Sequence, residues 1–323
     1  LRLYDIATPK DALAAYARQA VFVFHLAGVN RPKDTADFYS GNTGLTGRVL
    51  ELLRQNGNKA PLLLTSSTQA GNGTDYAKSK EAAEAAAFAH GRENGSSIYV
   101  YRLPGVFGKW SRPAYNSVVA TFCHNIARDE AIEIRDPAYA FPLCYIYDVV
   151  ESFIGTMECR ATPPGDGRFL GITPTYTVTL GNLAELLYGF KESRATLALP
   201  NMADPFTAKL YATYLSYLPE DDFSYPLEAK SDERGSFTEF LRTPDRGQVS
   251  INVAKPGIVK GNHWHNTKNE KFLVVSGQAV IRFRRVGDSK IVEYRVSGEK
   301  PEVVDIPTGY THNIENVGDE DLV

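Results

Sequence analysis

Cysteine, methionine, tryptophan and histidine are scarce in this sequence of 323 residues, which contains three, two, two and six of them. The three cysteines, Cys123, Cys144 and Cys159, are odd in number and lack the paired spacing of a disulfide framework or a zinc finger. We therefore expect a reducing, cytoplasmic environment. No apolar run approaches the roughly 20 residues that a membrane-spanning helix needs, so we expect no membrane segment.

An excess of charge of either sign is also missing. The net charge is −3, so the sequence offers no strongly basic surface for nucleic acid or an anionic membrane, and we expect neither as a partner. Apolar residues account for 43% and charged residues for 23%, proportions that are typical of globular proteins. The length suffices for two domains, each with its own core.

The N-terminal half lacks a further feature, a glycine-rich phosphate loop. Its predicted strands cover residues 21–27, 61–64 and 97–102, and its predicted helices cover residues 11–18, 45–55 and 79–90. This alternation predicts an α/β, Rossmann-like domain with a parallel sheet. Such a sheet should open with a strand and a glycine loop, yet no Gly-x-x-Gly-x-x-Gly precedes Ala20. We expect that the chain begins partway through this fold, with residues 1–6 as its second strand, and that it ends before its last domain is complete.

Tyr76 and Lys80 are the first candidates for catalysis. In a helix they lie one turn apart on one face, so the ammonium group would lie close to the phenol. A nearby cation lowers the pKa of a phenol, which suits general acid–base catalysis. Ser67 ends the preceding predicted strand and can bond the oxygen that gains or loses the proton. A Tyr-x3-Lys pair alone is more often an ordinary surface pair.

Together with Gly28 at the end of an earlier strand, these residues resemble the extended short-chain dehydrogenases/reductases. The resemblance implies that Tyr76 is the general acid or base, that Lys80 binds the nicotinamide ribose and that Ser67 binds the substrate oxygen. It also implies a coenzyme site that consists of His25, Leu26, Ala27, Gly28, Tyr76, Lys80 and Arg102.

Three of the six histidines lie close together near the C-terminus, at His263, His265 and His312. On a strand, His263 and His265 would point to the same face. Glu270 begins the next predicted strand, and His312 follows a Pro-x-Gly turn. Three imidazoles and one carboxylate suit a borderline divalent ion such as zinc, nickel, manganese or iron(II).

The spacing around these residues resembles the two motifs of the cupin family. The first is Gly-x5-His-x-His-x4-Glu-x6-Gly from Gly257, and the second is Pro-x-Gly-x2-His-x3-Asn from Pro307. The resemblance implies a small all-β barrel with His263, His265, Glu270 and His312 as its metal ligands. The alternative is a cupin barrel without metal, in which the histidines are only hydrogen-bonded.

The pattern becomes all-β after an acidic turn at residues 219–222, so we predict a reductase domain at residues 1–219 and a cupin domain at residues 220–323. The run Asp232-Glu-Arg-Gly-Ser-Phe-Thr-Glu resembles the opening of the sugar-nucleotide 3,5-epimerases, which are cupins. As we align them, those enzymes carry a lysine where this sequence has Glu270.

The two domains in this order resemble the bifunctional capsular polysaccharide synthesis enzymes of the UDP-N-acetyl-L-fucosamine pathway. The resemblance implies a homodimer, NADPH as reductant, a zinc ion in the cupin and a UDP-linked 4-keto-6-deoxy amino sugar as substrate. It further implies epimerisation at C3 by the cupin and reduction at C4 by the first domain.

A 4-keto sugar gives both domains a task, because the ketone acidifies the hydrogens on the neighbouring carbons. Epimerisation must precede reduction, since an alcohol at C4 no longer activates its neighbours; chemically, C5 is as activated as C3. The proton carrier stays open between His263, Lys268, Tyr310 and a water at the metal. Two alternatives remain: a dehydrogenase fused to a metal-dependent cupin oxygenase or isomerase, and a non-catalytic nucleotide-binding pair.

Overall fold

The computed structural model describes residues 1–159, 169–243 and 247–323. The chain folds as two compact units. The first comprises Leu1–Lys191 and Asn201–Glu220, and the second comprises Glu192–Pro200 and Asp221–Val323. The second unit thus contains one segment from before the predicted division at residues 219 and 220.

The described helices alternate with strands through the first 215 residues. In chain order the helices are α1 (Ala12–Gln19), α2 (Ala36–Phe38), α3 (Leu45–Gln55), α4 (Asp75–Asn94), α5 (Val118–Ala127), α6 (Ile146–Met157), α7 (Leu180–Thr196) and α8 (Pro205–Leu215). A π-helical turn, Tyr39–Gly44, joins α2 to α3, and a 3-10 turn covers Glu220–Asp222. None of the described helices combines the length and the apolar character that crossing a membrane would require.

The strands of the first unit form two sheets. In chain order they are β1 (Val23–His25), β2 (Leu62–Ser67), β3 (Ile98–Leu103), β4 (Gly105–Phe107), β5 (Ala140–Tyr145), β6 (Phe169–Leu170) and β7 (Tyr176–Thr179). The larger sheet has the order β1-β2-β3-β6, and all its strands are parallel. In the smaller sheet, β5 pairs with β4 in parallel and with β7 in antiparallel orientation.

Helices cover both faces of the larger sheet. Leu62 and Leu64 of β2 belong to one buried cluster with Leu53 of α3. Leu63, between them, belongs to a different buried cluster that includes Phe153 of α6. Successive side chains of a strand point to opposite faces, so the sheet is covered on both sides, as parallel sheets require. The predicted Rossmann-like α/β domain is confirmed.

Helix α4 is longer at both ends than the predicted span of residues 79–90. It begins at Asp75 because the Thr74 hydroxyl accepts a hydrogen bond from the amide of Ala77 at 3.2 Å, which caps the first turn. The predicted end at residue 90 is wrong. The helix continues to Asn94 and ends where Gly95 adopts the left-handed conformation, with φ of 73°. The earlier start places Tyr76 inside the first helical turn.

The prediction of a strand at residues 1–6 is wrong. These residues form no strand, and a turn follows in which the Asp5 carboxylate accepts hydrogen bonds from the amide of Ala7 and the hydroxyl of Thr8. The side chains of Leu1, Leu3 and Ile6 are exposed. A strand needs a neighbour for its backbone groups, and within the described residues β1 pairs only with β2.

The second unit is rich in antiparallel β-structure, which fits the predicted cupin barrel. Its strands are β8 (Ala229–Asp232), β9 (Gly235–Thr243), β10 (Gly247–Ala254), β11 (Val259–His263), β12 (Glu270–Leu273), β13 (Gln278–Arg285), β14 (Ile291–Ser297), β15 (Val303–Ile306) and β16 (Tyr310–Asn316). They pair in the orders β10-β9-β8, β11-β16-β13-β14 and β12-β15. The core of this unit includes Ile281, Phe283 and Ile306.

Candidate active site and candidate metal centre

Lys80 and Tyr76 lie at the start of α4, beside the carboxyl end of β2. The Lys80 ammonium lies 6.0 Å from the centroid of the Tyr76 ring and donates a hydrogen bond to the carbonyl of Thr65 at 3.2 Å. Only 7% of Lys80 is exposed. Burial lowers the pKa of Lys80, and the nearby carboxylate of Glu84 partly opposes this effect. The predicted Tyr-x3-Lys pair therefore joins a buried lysine to a half-buried tyrosine at a strand end, in contrast to an ordinary surface pair.

The pKa of Tyr76 shifts in the direction opposite to the sequence-based expectation. Burial raises the pKa of the Tyr76 phenol, and its hydrogen bond with Ser67 acts in the lowering direction. The predicted lowering by Lys80 is therefore wrong. A phenol with a raised pKa keeps its proton at neutral pH, which is the form that can donate a proton to a ketone. Ser67, as predicted, lies next to Tyr76.

The backbone of Gly28 lies close to the ammonium group of Lys80. A β-carbon at this position would come within 2.8 Å of Lys80 Nζ and 3.0 Å of Asn42 Oδ1. The side chain of Asn42 holds the loop that contains Gly28. Asn42 Oδ1 accepts a hydrogen bond from the backbone N–H of Val29 at 2.9 Å, and Asn42 Nδ2 donates one to the Val29 carbonyl at 3.1 Å. A larger residue at position 28 would therefore force the end of the Lys80 side chain to move.

A cavity of about 1510 Å³ opens at the carboxyl ends of these strands, where ligands bind in doubly wound folds. Leu26, Gly28, Ser67, Tyr76 and Lys80 all line it. Its volume exceeds the roughly 300–1,000 Å³ of a pocket for one small ligand, so it has room for a coenzyme and a second molecule.

Two of the predicted coenzyme-binding residues have partners within the fold. The imidazole of His25 is buried and bonds the hydroxyl of Thr46 at 2.8 Å. Arg102 donates to both carboxylate oxygens of Glu84, at 2.9 and 2.7 Å, and its guanidinium stacks on the ring of Phe169. Their side chains therefore support neighbouring strands, and their predicted role in coenzyme binding gains no support from this geometry. Ala27 lies between Leu26 and Gly28, in the loop that follows β1.

Sequence reasoning missed Asn42 and Glu84, which organise this site. Asn42 donates to the hydroxyl of Ser79 at 2.9 Å in addition to holding the Val29 backbone. Glu84 is 3% exposed and accepts from Ser66 at 2.5 Å as well as from Arg102. Glu84 is four residues after Lys80 in α4, a spacing that could have indicated a common face. No local pattern could have indicated Asn42.

His263, His265, Glu270 and His312 come together in the second unit. Each offers one ligand atom, and the four atoms all lie within 4.8 Å of one another. The ring centroid of His263 lies 4.9 Å from that of His265 and 4.7 Å from that of His312. The sequence-based explanation for His265 is wrong, however. Strand β11 ends at His263, so His265 approaches the group from the following loop and does not owe its position to strand alternation.

The candidate ligand atoms of His265, Glu270 and His312 lie close together, and none of them has a hydrogen-bond partner within the described residues. Nε2 of His265 and Nε2 of His312 lie 3.3 and 3.2 Å from Oε2 of Glu270. All three atoms are buried, and no hydrogen-bond partner for them exists among the described residues. Buried polar atoms are rarely left unsatisfied, and one cation would satisfy all three. The residues therefore fit a divalent ion of the zinc type.

Neighbouring groups orient two of these ligands. His312 Nδ1 faces the carbonyl of Tyr310 at 3.4 Å, an arrangement that leaves Nε2 for the cation. Burial lowers the pKa of His312, which favours the neutral, ligating imidazole. Lys268 donates to Oε1 of Glu270 at 2.6 Å. Burial raises the pKa of Glu270, but Lys268 and the histidines outweigh this effect, so the net pKa is lowered and the carboxylate is favoured.

Family models match both parts of the chain. Residues 3–166 match the NAD dependent epimerase/dehydratase family, and residues 230–323 match the polysaccharide biosynthesis C-terminal domain. The chain belongs to the NAD dependent epimerase/dehydratase family. This family uses NAD(P), which confirms the predicted class of coenzyme.

Several relatives are similar to the chain over nearly its whole length. The UDP-2-acetamido-2,6-beta-L-arabino-hexul-4-ose reductase of Pseudomonas aeruginosa is 46% identical over 306 residues, which cover 95% of this chain and 82% of that protein. A crystal structure of the capsular polysaccharide assembling protein CapF from Staphylococcus aureus is 51% identical, with a TM-score of 0.91 and coverage of 98% of this chain and 85% of that chain. A structure of CapF with the inhibitor 3-isopropenyl-tropolone is 46% identical, with a TM-score of 0.86 and coverage of 99% and 85%. The predicted resemblance to the capsular polysaccharide synthesis enzymes is confirmed.

Proposed function

We propose that the chain is a bifunctional enzyme of capsular polysaccharide biosynthesis, in the pathway to UDP-N-acetyl-L-fucosamine. It epimerises a UDP-linked 4-keto-6-deoxy amino sugar at C3 and then reduces the C4 ketone with NADPH. The observation that carries the proposal is the presence of two separate reactive groups in one chain, Tyr76 with Lys80 in the first unit and the His/Glu cluster in the second. The names of the relatives support it, since one is a reductase of a UDP-linked hexul-4-ose and another assembles capsular polysaccharide.

Reduction takes place in the large cavity of the first unit. NADPH supplies the hydride that C4 receives. Tyr76 donates its proton to the ketone oxygen, so that the ketone gains a hydride and a proton and becomes an alcohol. Ser67 donates a hydrogen bond to the same oxygen, and the buried charge of Lys80 stabilises the phenolate that remains on Tyr76. The raised pKa of Tyr76 keeps the proton available until the hydride arrives.

Epimerisation takes place at the cluster of the second unit. A divalent cation held by His263, His265, Glu270 and His312, zinc in this proposal, supplies Lewis-acid polarisation of the sugar oxygens. The protein removes the proton next to the ketone and returns one to the opposite face of the sugar, which inverts the carbon. Lys268 and Tyr310 belong to the segments that frame the cluster and are the candidate proton carriers.

The chemistry of the substrate fixes the order of the two steps. The hydrogen on C3 is acidic only while C4 is a ketone, so epimerisation comes first. We also propose that the coenzyme is NADPH and that two chains assemble into a homodimer.

Consumption of NADPH with a UDP-2-acetamido-2,6-dideoxy-4-keto-hexose tests the proposal. We expect wild-type protein to oxidise NADPH, and both Tyr76→Phe and His312→Ala to lose this activity. A substrate already epimerised at C3 should restore oxidation with His312→Ala but not with Tyr76→Phe. If Tyr76→Phe oxidises NADPH at the wild-type rate, or if the pre-epimerised substrate restores neither variant, the assignment of the two steps to the two units is wrong.

A further inference from the structure

Strand β11 carries one residue too many opposite β16. Gly261 pairs with Asn313 and His263 pairs with His312, so Asn262 is left without a partner in the ladder. Asn262 and Gly261 both have positive φ, of 62° and 111°. An unpaired residue with this backbone is a β-bulge, a feature that redirects the side chains that follow it.

The bulge decides on which face of the sheet His263 lies. A regular ladder would pair Asn262 with His312 and would turn His263 to the opposite face, because successive side chains of a strand alternate. With the extra residue, His263 lies opposite His312, and residues directly opposite each other share a face. Their ring centroids are 4.7 Å apart. The bulge therefore brings His263 into the metal cluster.

One hydrogen bond outside the cluster links the bulge to β16. The side-chain Nδ2 of Asn313 donates a hydrogen bond to Oδ1 of Asn262 at 2.8 Å. Because Asn313 follows His312 in β16, its side chain leaves the sheet on the face opposite to the cluster. Asparagine at residue 262 also suits the positive φ, which most other residues avoid. At Gly261, a β-carbon would come within 2.8 Å of the His312 carbonyl oxygen, so the close approach of the two strands requires glycine.

We propose that Asn313 is a positioning residue for the metal site. Through its bond to Asn262 it fixes the bulge that turns His263 towards His312, from the face of the sheet opposite to the cluster. This inference rests on the proposed function, in that it assumes that the cluster binds a divalent cation. Asn262 and Asn313 thereby have a role in the metal site that the spacing of the four ligands does not indicate.

Two isosteric variants test the role of this bond. Asn262→Asp keeps an acceptor for the Asn313 amide, whereas Asn313→Asp removes the donor and places two acceptors against each other. Each variant adds one negative charge, so the pair is matched in charge and size. Asn262 is exposed and Asn313 is half-buried, so the uncharged variant Asn262→Gly is measured beside them. We expect Asn262→Asp to bind zinc almost as tightly as wild-type protein in competition with a chromophoric chelator. We expect Asn313→Asp to bind it about 10–100-fold more weakly, the usual effect of losing a group that orients a metal ligand.

A double variant distinguishes positioning from a general loss of structure. If Asn313 acts through His263, then Asn313→Asp combined with His263→Ala should bind zinc no more weakly than His263→Ala alone. Should Asn313→Asp fail to fold, Asn262→Gly replaces it, because it keeps the positive φ, removes the acceptor and adds no charge; we expect it to weaken binding in the same way. Equal zinc affinities of Asn262→Asp and Asn313→Asp, or an unchanged affinity of Asn262→Gly, would overturn this inference alone. A wild-type protein that binds no divalent cation would overturn the metal site and the inference with it.

Discussion

Gly28 and Lys80 are packed so closely that a single methyl group at Gly28 would displace the ammonium of Lys80. The separation between that carbon and Lys80 Nζ would be 2.8 Å. Lys80 is the residue that links the end of β2, through the carbonyl of Thr65, to the region of Tyr76. The loop after β1 therefore sets the position of the charge on which the proposed reduction depends.

Gly28→Ala should impair coenzyme binding and leave the fold intact. The clash is with the end of a flexible side chain, so Lys80 can move while the backbone stays in place. Displacement of the ammonium removes the hydrogen bond that Lys80 is proposed to make to the coenzyme ribose, which is worth about 1.5–3 kcal/mol, or about 10–150-fold in NADPH affinity. Titration of protein fluorescence with NADPH measures it. Gly189→Ala is the matched control, because nothing lies within 4 Å of its β-carbon; equal affinities of the two variants would contradict the account.

Tyr76→Phe should abolish proton donation and preserve binding. Removal of a general acid typically lowers the rate constant by about 10²–10⁴-fold, and we expect this loss in kcat with little change in KM. Because the pKa of Tyr76 is raised, the wild-type rate should stay constant through neutral pH and fall only in alkaline solution, where the phenol ionises. Steady-state kinetics over pH measures both effects. Tyr188→Phe, an exposed tyrosine of α7, serves as control; a rate that already rises steeply with pH near neutrality would count against Tyr76 as the acid.

His25 should make stability depend on pH in the acidic range. Burial, helped by the charge of Lys80, lowers the pKa of His25 from 6.5 to about 4. Between pH 6.5 and pH 4 the unfolded chain therefore binds a proton on this imidazole that the folded chain does not bind. The contribution of His25 to stability is full above pH 6.5 and is lost as the pH falls towards 4. Between about pH 7 and pH 5 this group alone should lower the free energy of unfolding by about 2 kcal/mol.

The His25→Asn variant isolates this contribution, since asparagine does not titrate. Urea unfolding at the two pH values should show a fall in stability that is smaller for the variant by about 2 kcal/mol. The variant should also be less stable at neutral pH by about 1 kcal/mol, because the bond to Thr46 is changed. If the wild-type protein and the variant lose the same stability on acidification, His25 is not buried in the neutral form.

His312→Ala should remove bound zinc. His312 is 2% exposed and supplies one of the three buried donor atoms that lack hydrogen bonds within the described residues. Loss of one ligand from a four-ligand site leaves the ion weakly held, so the zinc content per chain after dialysis against a mild chelator should fall close to zero. Elemental analysis by mass spectrometry measures this. His124→Ala removes a histidine of α5 that is no part of the cluster and should retain zinc.

The sequence was sufficient to predict those parts of the molecule that depend on local patterns. Helix α3 has the predicted bounds, and the alternation of strands and helices predicted the parallel sheet. That His263, His265, Glu270 and His312 come together was also predictable, because the spacing of these residue types within two short motifs is local information; their role as metal ligands stays a prediction. Tyr76 and Lys80 were predictable for the same reason, since four residues make one turn of a helix.

The remaining features depend on pairing between distant segments. Nothing near Asn42 in the sequence indicates that its amide holds the Val29 backbone, and nothing near Asn313 indicates that it faces Asn262. The position of His265 was misjudged because a regular strand was assumed, whereas β11 contains a bulge and ends at His263. The direction of the Tyr76 pKa shift was misjudged because burial, which the sequence does not show, has a larger effect than the expected influence of Lys80.

The most direct test of the account is proton exchange without reduction. The protein, loaded with zinc, is incubated in heavy water with the UDP-linked 4-keto sugar and no coenzyme, and the sugar is analysed by proton NMR and mass spectrometry. The account predicts that deuterium enters the carbon next to the ketone with wild-type protein and with Tyr76→Phe, but not with His263→Ala. Absence of exchange with the wild-type protein, or equal loss of exchange in Tyr76→Phe and His263→Ala, would contradict the claim that one chain carries an epimerase and a reductase at separate sites.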